Sequence, residues 1–307
     1  MTQKISPVLA LSPVQSVRMD GFTFFIKRDD LLNTHFSGNK ARKFAYYLNN
    51  EFPAIKKIMC YGSVQANSLY SLAALAKLKN WQLDFYVQSI PQWLKAQPNG
   101  NYCAALALGA NIIELEKNDL GKDNLDSFIR LKAQHLPSDT LFIPEGGRSK
   151  QAKQGVAVLA QEIKDFCQQQ ALLDPLIMLP SGTGTSAVFL QSLLPYKVLT
   201  CACVGNADYL SQQFSELDDN TSMWPIILPT RKRYQFGKLY PEFYQIWQQL
   251  KAQTGIEFDL LYDPLGWLTL LDYLKKNRLE KSVIYIHQGG LLGNQSMLPR
   301  YRRKYPS

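Results

Sequence analysis

The sequence predicts an α/β protein built from open, mainly parallel sheets with helices on both faces. Two observations carry this expectation: apolar runs of strand length alternate with helical patterns from residue 55 onwards, and two strand-to-helix junctions are rich in glycine and hydroxyl residues. Size is the third, since 307 residues with 46% hydrophobic and 19% charged content can bury a substantial core, as one large domain or two moderate ones.

Taken in order, residues 22–26 have strand character and residues 31–36 read as a loop. Ser37, Gly38 and Asn39 then offer capping groups ahead of Ala41, Phe44, Ala45, Tyr47 and Leu48, which fall at helical spacing. A buried strand over 55–60, a helix over 67–78, a strand over 83–87, a helix over 101–108 and a strand over 111–115 give βαβ alternation. A helix over 125–133, a strand over 141–143 and a helix over 154–166 continue it. A second series follows: strand 176–179, helix 186–194, strand 197–204, helices 241–251 and 265–275, and strand 283–287. No repeat or low-complexity segment interrupts the pattern, and periodicity alone does not divide the chain into domains.

The net charge of +9 raises the question of nucleic acid, but the basic residues are spread out apart from Arg231-Lys232-Arg233 and Arg300-Tyr301-Arg302-Arg303-Lys304. No nucleic-acid partner is expected; a basic surface equally serves anionic and zwitterionic small molecules. The five cysteines, Cys60, Cys103, Cys167, Cys201 and Cys203, show neither zinc spacing nor a redox pair, so no metal is expected. Cys60, Cys201 and Cys203 lie in apolar runs where a thiol behaves as a small hydrophobe, and a reducing compartment is the simpler inference. Met1 to Pro7 has no apolar stretch of signal length, and no apolar run is long enough to cross a bilayer. The expectation is a cytoplasmic protein without a membrane partner.

Lys40 is the residue with the most chemical promise. A lysine at a helix start faces the positive end of the dipole, which favours the neutral, nucleophilic amine. Lys43 adds a second cation one turn on, so the pair either suppresses protonation of Lys40 or holds an anion such as phosphate. Two lysines in a first turn are, by themselves, ordinarily solvated surface. Ser181-Gly182-Thr183-Gly184-Thr185-Ser186 lies between an apolar strand and an apolar helix. Glycines there let successive N–H groups converge, and the hydroxyls and helix start complete an anion site with phosphate as its natural occupant. The segment is neither a Walker loop nor the dinucleotide fingerprint, and standing alone it is equally a capped turn. Beside Lys40 and Lys43, a cofactor phosphate is favoured. The Gly62 to Asn67 and Pro180 to Ser186 segments both follow strands and precede helices, which puts them at the carboxyl edges where ligands collect in parallel sheets.

Several segments, in order, resemble the pyridoxal-phosphate enzymes that include 1-aminocyclopropane-1-carboxylate deaminase and D-cysteine desulfhydrase, within the tryptophan-synthase-β-like group (fold type II). They are Ile26-Lys27-Arg28-Asp29-Asp30 with Gly38-Asn39-Lys40, then Gly62-Ser63-Val64-Gln65-Ala66-Asn67, Gly100-Asn101 with Gly109-Ala110, and Pro144-Glu145-Gly146-Gly147. The Ser181 to Ser186 turn, Asp263-Pro264 and His287-Gln288-Gly289-Gly290 complete the series, and only residues 205–235 match poorly.

The resemblance implies two domains, a small one over 50–155 and a large cofactor-binding one made of 1–49 and 156–307, with pyridoxal 5'-phosphate in the cleft between. It implies that Lys40 forms the Schiff base, that Lys43 assists at the phosphate cup of Gly182, Thr183, Gly184, Thr185 and Ser186, and that Asn67 bonds the ring hydroxyl. Read without the family, Asn67 is equally a helix N-cap. Gln288 stands where desulfhydrase-like relatives have threonine near the ring nitrogen. Ser63, Gln65, Ser68 and His287 are the candidates for substrate contacts, although caps and a structural histidine account for them as well. The implied activity is that of a lyase or deaminase releasing ammonia and a 2-oxo acid from a small amino acid, in a homodimer. Two departures oppose it: Ala66 replaces a serine whose hydroxyl serves catalysis, and Gly266 replaces a tyrosine, with Tyr262, Trp267, Tyr234 or Tyr240 as possible substitutes. They leave open a relative that binds the cofactor and has become a binding or regulatory protein.

Overall fold

The structure is a computed structural model that describes residues 9–116, 124–279 and 281–306; the signal-length reading of Met1 to Pro7 lies outside them. Strand β1 (Val14–Met19) turns through Asp20 and Gly21, both at positive φ, into antiparallel β2 (Phe22–Arg28). Helix α1 (Gly38–Asn49) follows, then β3 (Lys57–Tyr61), α2 (Asn67–Lys79), β4 (Gln82–Val87), α3 (Gln92–Ala96), α4 (Gly100–Ala107) and β5 (Asn111–Glu114). Next come α5 (Leu125–Ala133), β6 (Thr140–Phe142), α6 (Ala152–Gln169), β7 (Leu176–Met178), α7 (Thr185–Leu193) and β8 (Val198–Thr200). The chain ends with α8 (Ala207–Ser215), β9 (Ile226–Ile227), α9 (Pro241–Thr254), α10 (Asp263–Asn277), β10 (Val283–His287) and α11 (Asn294–Lys304).

Two sheets result. One has the order β1-β2-β10-β7-β8-β9 and is parallel except for the β1–β2 hairpin; the other has the order β5-β4-β3-β6 and is parallel throughout. Period-2 alternation decides which residues meet which helices. In the larger sheet Met178, Leu199 and Tyr285 pack under α9, α10 and α11, whereas Ile177, Val198 and Ile284 pack against α6 and α7. In the smaller sheet Ile58, Cys60 and Phe85 meet α1, α2 and α4, and Met59 and Tyr61 meet Ile129 of α5. Helices therefore cover both faces of each sheet, as the alternation predicts.

The differences from the sequence expectation have local causes. β1 escapes the pattern because only Val17 and Met19 are buried on this edge strand. The strand expected over 197–204 is regular only to Thr200; beyond it an isolated Ser181–Ala202 bridge continues the pairing with the facing chain. α3 and β9 are too short to show a period. α8 lies in the stretch that fits the family poorly, and α11 looked like a basic tail, yet Met297 and Tyr301 anchor it in the core. All five cysteines are free thiols, and no helix among the described residues is long and apolar enough to cross a membrane.

One charged cluster sits where β2, α1 and α6 meet. Arg42, 3% exposed, bonds both oxygens of Asp29 (2.8 and 3.1 Å) and both oxygens of Glu162 (2.9 and 2.7 Å). Lys27 completes it with Glu162 at 2.6 Å and a bond to the Ser12 carbonyl. Two cations and two anions balance, so no buried charge is left alone. Arg42→Met leaves Asp29 uncompensated and is expected to destabilise the chain by about 3–5 kcal/mol. The readout is a lower urea midpoint at unchanged slope; an unchanged midpoint would show that the cluster contributes nothing to the seating of α1.

Candidate active site

α1 begins against the loop that follows β10. Gly38 has φ +67, and a Cβ there would lie 2.1 Å from the Gln288 carbonyl oxygen, so only glycine permits the approach. The Asn39 backbone N–H donates to that carbonyl (3.0 Å), and Asn39 Nδ2 donates to Gln288 Oε1 (3.0 Å). Ser37 occupies the N-cap position without a side-chain bond, so the capping expected of these side chains is replaced by a staple to Gln288. Because β2 and β10 are parallel neighbours, this staple also fixes Lys40 at the carboxyl edge of the larger sheet.

Lys40 is half-buried and lines a cleft of about 1000 Å³. Its ammonium is lowered to about 8, chiefly by burial, with the Glu145 carboxylate and Cys60 opposing. Lys43 is buried and held well below the usual lysine range, first by burial and then by the positive charges of Lys40 and Arg148. The repulsion expected between the two lysines thus falls on Lys43. Its Nζ donates to Gly146 O (3.2 Å) and lies 3.5 Å from Thr183 Oγ1.

The turn after β7 forms the opposite wall. Gly184 at φ +69 sets the N-cap of α7, Thr183 and Thr185 share a hydroxyl contact of 3.1 Å, and Ser181 is engaged with Thr200 (2.7 Å). Among the described residues the buried Ser186 hydroxyl has no partner, and it lies in the first turn of α7, where backbone N–H groups lack intrahelical acceptors. A phosphate dianion fits this set: it satisfies an orphaned hydroxyl and a helix N-terminus together, with Lys43 close by. Lys40 and all five residues of the proposed cup, Gly182 through Ser186, line the same cleft.

The turn after β3 supplies the third wall. Ser63, Gln65, Asn67 and Ser68 line the cleft. Asn67 is the first residue of α2 and not its cap, which is Ala66; its Oδ1 accepts from Asn101 Nδ2 (2.8 Å), so its amide nitrogen is the free donor. Gln65 ties down α4 instead, donating to Asn99 O (3.1 Å) and accepting from Tyr102 N. Gln288 also lines the cleft, with its amide held between Asn39 and Pro180 O (2.6 Å).

His287 does not join them. It is fully buried, stacks on Phe258 at 4.7 Å, bonds Glu257 O through Nε2 and the Gly289 N–H through Nδ1, and is absent from the cleft lining, the surroundings of a structural histidine and not of a substrate contact. Gly266 cannot carry a longer side chain either: a Cβ would sit 2.8 Å from the hydroxyl of Tyr285, which donates to Asp263 (2.7 Å). Of the four aromatic substitutes, Tyr262 lines the cleft beside Gly182, and Trp267 is buried against Tyr285. Tyr234 and Tyr240 pack on Phe243 and are absent from the lining.

Three acidic residues also line the cleft: Glu145 and Asp263, which the motifs include without a site role, and Asp259, which sequence reasoning missed. Asp259 is pushed up to about 6 by burial, with the N–H groups of Tyr262, Leu261 and Asp263 opposing; Asp263 is held well above its usual range by burial and by Asp259. A turn residue four places before Asp263-Pro264 was the available signal for Asp259, and the glycine pair after a strand was the signal for Glu145.

No family model matches the chain. Over 295 residues it is 23% identical to a Thermotoga maritima protein provisionally named a 1-aminocyclopropane-1-carboxylate deaminase, covering 89% of this chain and 90% of the relative. It is 22% identical to the mitochondrial bifunctional D-cysteine desulfhydrase/1-aminocyclopropane-1-carboxylate deaminase of Arabidopsis thaliana, covering 89% and 74%. A solved structure of an ACC deaminase homologue superposes with a TM-score of 0.75 at 21% identity, over 96% of this chain and 94% of that one. These relatives bear out the resemblance seen in the motifs, and the superposition bears out the tryptophan-synthase-β-like fold.

At pH 8 about half of the Lys40 amine is neutral, against well under 1% for a lysine near the ordinary value of about 10.4. Lys40 is expected to acylate on the order of 10-fold faster than exposed lysines at that pH, because the lower nucleophilicity of a weaker base offsets part of the gain in neutral amine, and to lose the advantage as pH falls and the amine protonates. Peptide mass spectrometry after brief labelling reads this directly; a Lys40 rate that follows the bulk lysines would contradict it.

Proposed function

We propose that this chain is a pyridoxal-phosphate-dependent lyase or deaminase that acts on a small amino acid and releases ammonia and a 2-oxo acid, in the manner of D-cysteine desulfhydrase or 1-aminocyclopropane-1-carboxylate deaminase. One observation carries the reading: an amine poised near neutrality and a glycine-and-hydroxyl turn with an orphaned buried hydroxyl open on the same cleft. The named relatives support it.

In this reading Lys40 attaches the cofactor, and Thr183, Thr185, Ser186 and the backbone of Gly182 and Gly184 take its phosphate, with Lys43 alongside. The free amide nitrogen of Asn67 would donate to the ring oxygen. Gln288 would face the ring nitrogen as a neutral amide already bonded twice, and so would supply no proton to it. When bound, the cofactor provides a conjugated system that accepts the electron pair released at the substrate's α-carbon. The Lys40 amine, when not holding the cofactor, would serve as a base in the cleft, and its lowered proton affinity suits it to take and return a proton near neutral pH. Ser63 and Ser68 are the hydroxyls for the substrate carboxylate. The division into residues 50–155 and the remainder, and a homodimeric state, belong to the same proposal.

The absent hydroxyl at Ala66 favours one second reading, a protein that binds cofactor and amino acid without turnover. One experiment separates the two. Purified chain incubated with pyridoxal phosphate is expected to turn yellow, and Lys40→Ala to stay colourless. A panel of small D- and L-amino acids then reads absorbance and 2-oxo acid together. Steady 2-oxo acid release supports the lyase, a spectral change without it supports the binding protein, and a colourless parent chain rejects both.

A further inference from the structure

Glu145 is the first residue of a 3-10 turn (Glu145–Gly147) directly beyond β6. That turn has little freedom. Lys43 Nζ bonds the Gly146 carbonyl, a Cβ on Gly146 would lie 3.3 Å from Thr183, and one on Gly147 would lie 2.6 Å from the Phe44 ring. The turn is wedged between α1 and the wall that carries Thr183. Its glutamate side chain is left facing the cleft, with Oε1 3.3 Å from where a Cβ on Gly62 would stand, over the end of β3.

Among the described residues this carboxylate makes no hydrogen bond and no ion pair. The other acidic groups of the cleft are engaged: Asp259 accepts three backbone N–H groups, and Asp263 accepts from Tyr285 and from the Asp259 N–H. Nearby Arg148 is directed to Gln213 and Glu216. Glu145 therefore has both oxygens free in the cleft that Lys40 lines, and Lys40 lies within its electrostatic reach.

We propose that Glu145 is the acid–base partner of Lys40, taking the proton that the ammonium must lose and giving it up later in the cycle, a role that no hydroxyl at Ala66 can fill. The inference rests on the preceding reading of the cleft. In the step itself an N–H bond of the Lys40 ammonium breaks, an O–H bond forms on Glu145, and the electron pair left on Nζ becomes available to the substrate's α-proton. The carboxyl then returns its proton to the group leaving the substrate. Burial and Asp126 raise the carboxyl above its usual range, while Arg148 and Lys40 oppose, so the two groups approach each other in proton affinity. Cys60, Tyr61, Tyr209 and Tyr262 also lie within its field, and burial holds each of these hydroxyls and the thiol above its ordinary value.

Two measurements test the pairing, on chains whose folding is first matched by urea midpoint. In the cofactor-free protein the Lys40 titration is followed by labelling: Glu145 stabilises the ammonium, so Glu145→Gln is expected to lower the Lys40 midpoint further below about 8. In the cofactor-loaded protein, borohydride reduction counts cofactor on Lys40, and exchange of the substrate α-hydrogen in deuterated water is read across pH. Glu145→Gln is expected to keep the Lys40 adduct, slow exchange on the order of 100-fold and lose the acidic limb of the profile, with Glu145→Asp recovering part of the rate. An unshifted Lys40 midpoint, or parental exchange in Glu145→Gln, overturns the pairing and leaves cofactor attachment standing. If the parent chain gives no Lys40 adduct or no exchange, the functional reading fails instead, and the cofactor-free titration alone decides for or against Glu145.

Discussion

The position of the reactive amine depends on a buried set of charges two residues away from it. Arg42 grips Asp29, at the end of β2, and Glu162, on α6, with bidentate bonds to each. A guanidinium fork admits few geometries, so α1 has a single register against the sheet and its neighbouring helix. Such a cluster is weak evidence for stability, because desolvating four charges offsets most of their attraction. Its physical consequence is specificity of placement. With Arg42 held on one side of α1 and Phe44 packed with the smaller sheet on another, Lys40 projects from the first turn into the cleft.

The cleft itself follows from parallel sheets. β3 and β6 of one sheet and β7 and β10 of the other end at its walls, so each contributes a carboxyl-edge turn: Gly62 to Asn67, Glu145 to Gly147, Pro180 to Ser186, and Gln288 with Gly289. Helices that begin at such edges leave N–H groups without acceptors, and those of α7 lie beside the unpaired Ser186 hydroxyl. The electrostatics follow from burial. Removing water lowers both lysines and raises Asp259, Asp263 and Glu145, so opposite charges that would be fully ionised in solvent are drawn towards a common range. Proton exchange near neutral pH becomes accessible to groups that otherwise titrate far from it.

The departures from the family pattern have different physical standing. At Gly266 the space is taken: the Tyr285 hydroxyl and the Pro180 ring crowd the position, and that hydroxyl anchors Asp263 in exchange for the lost side chain. Tyr262 brings a phenol to the cleft from a neighbouring position. At Ala66 no compensating hydroxyl arises from the same turn, because Ser68, the second residue of α2, is buried and Ser63 accepts from the Gln65 N–H. Glu145 enters the same cleft from the turn beyond β6.

Alternation of strand and helix, the candidate lysine and the hydroxyl turn were legible in the sequence because each depends on residues close together in the chain. Strand and helix periods are local, and a glycine-rich turn after an apolar run declares its place at a sheet edge. Edge strand β1 and helix α11 were hidden because few of their side chains are buried, and those few become meaningful only against a core built from distant segments. The surroundings of His287 and Glu145 were decided by tertiary structure alone. One sits at the end of a strand and turns inward onto Phe258; the other sits in a glycine turn and faces the cleft because Lys43 and Phe44 leave its turn no alternative. Sequence by itself determined which residues could carry chemistry, since that is a property of side-chain type and local backbone. Which of them share one desolvated space, and with what proton affinity, was decided only when two sheets brought their carboxyl edges together, because burial and charge pairing depend on neighbours that the chain order does not reveal.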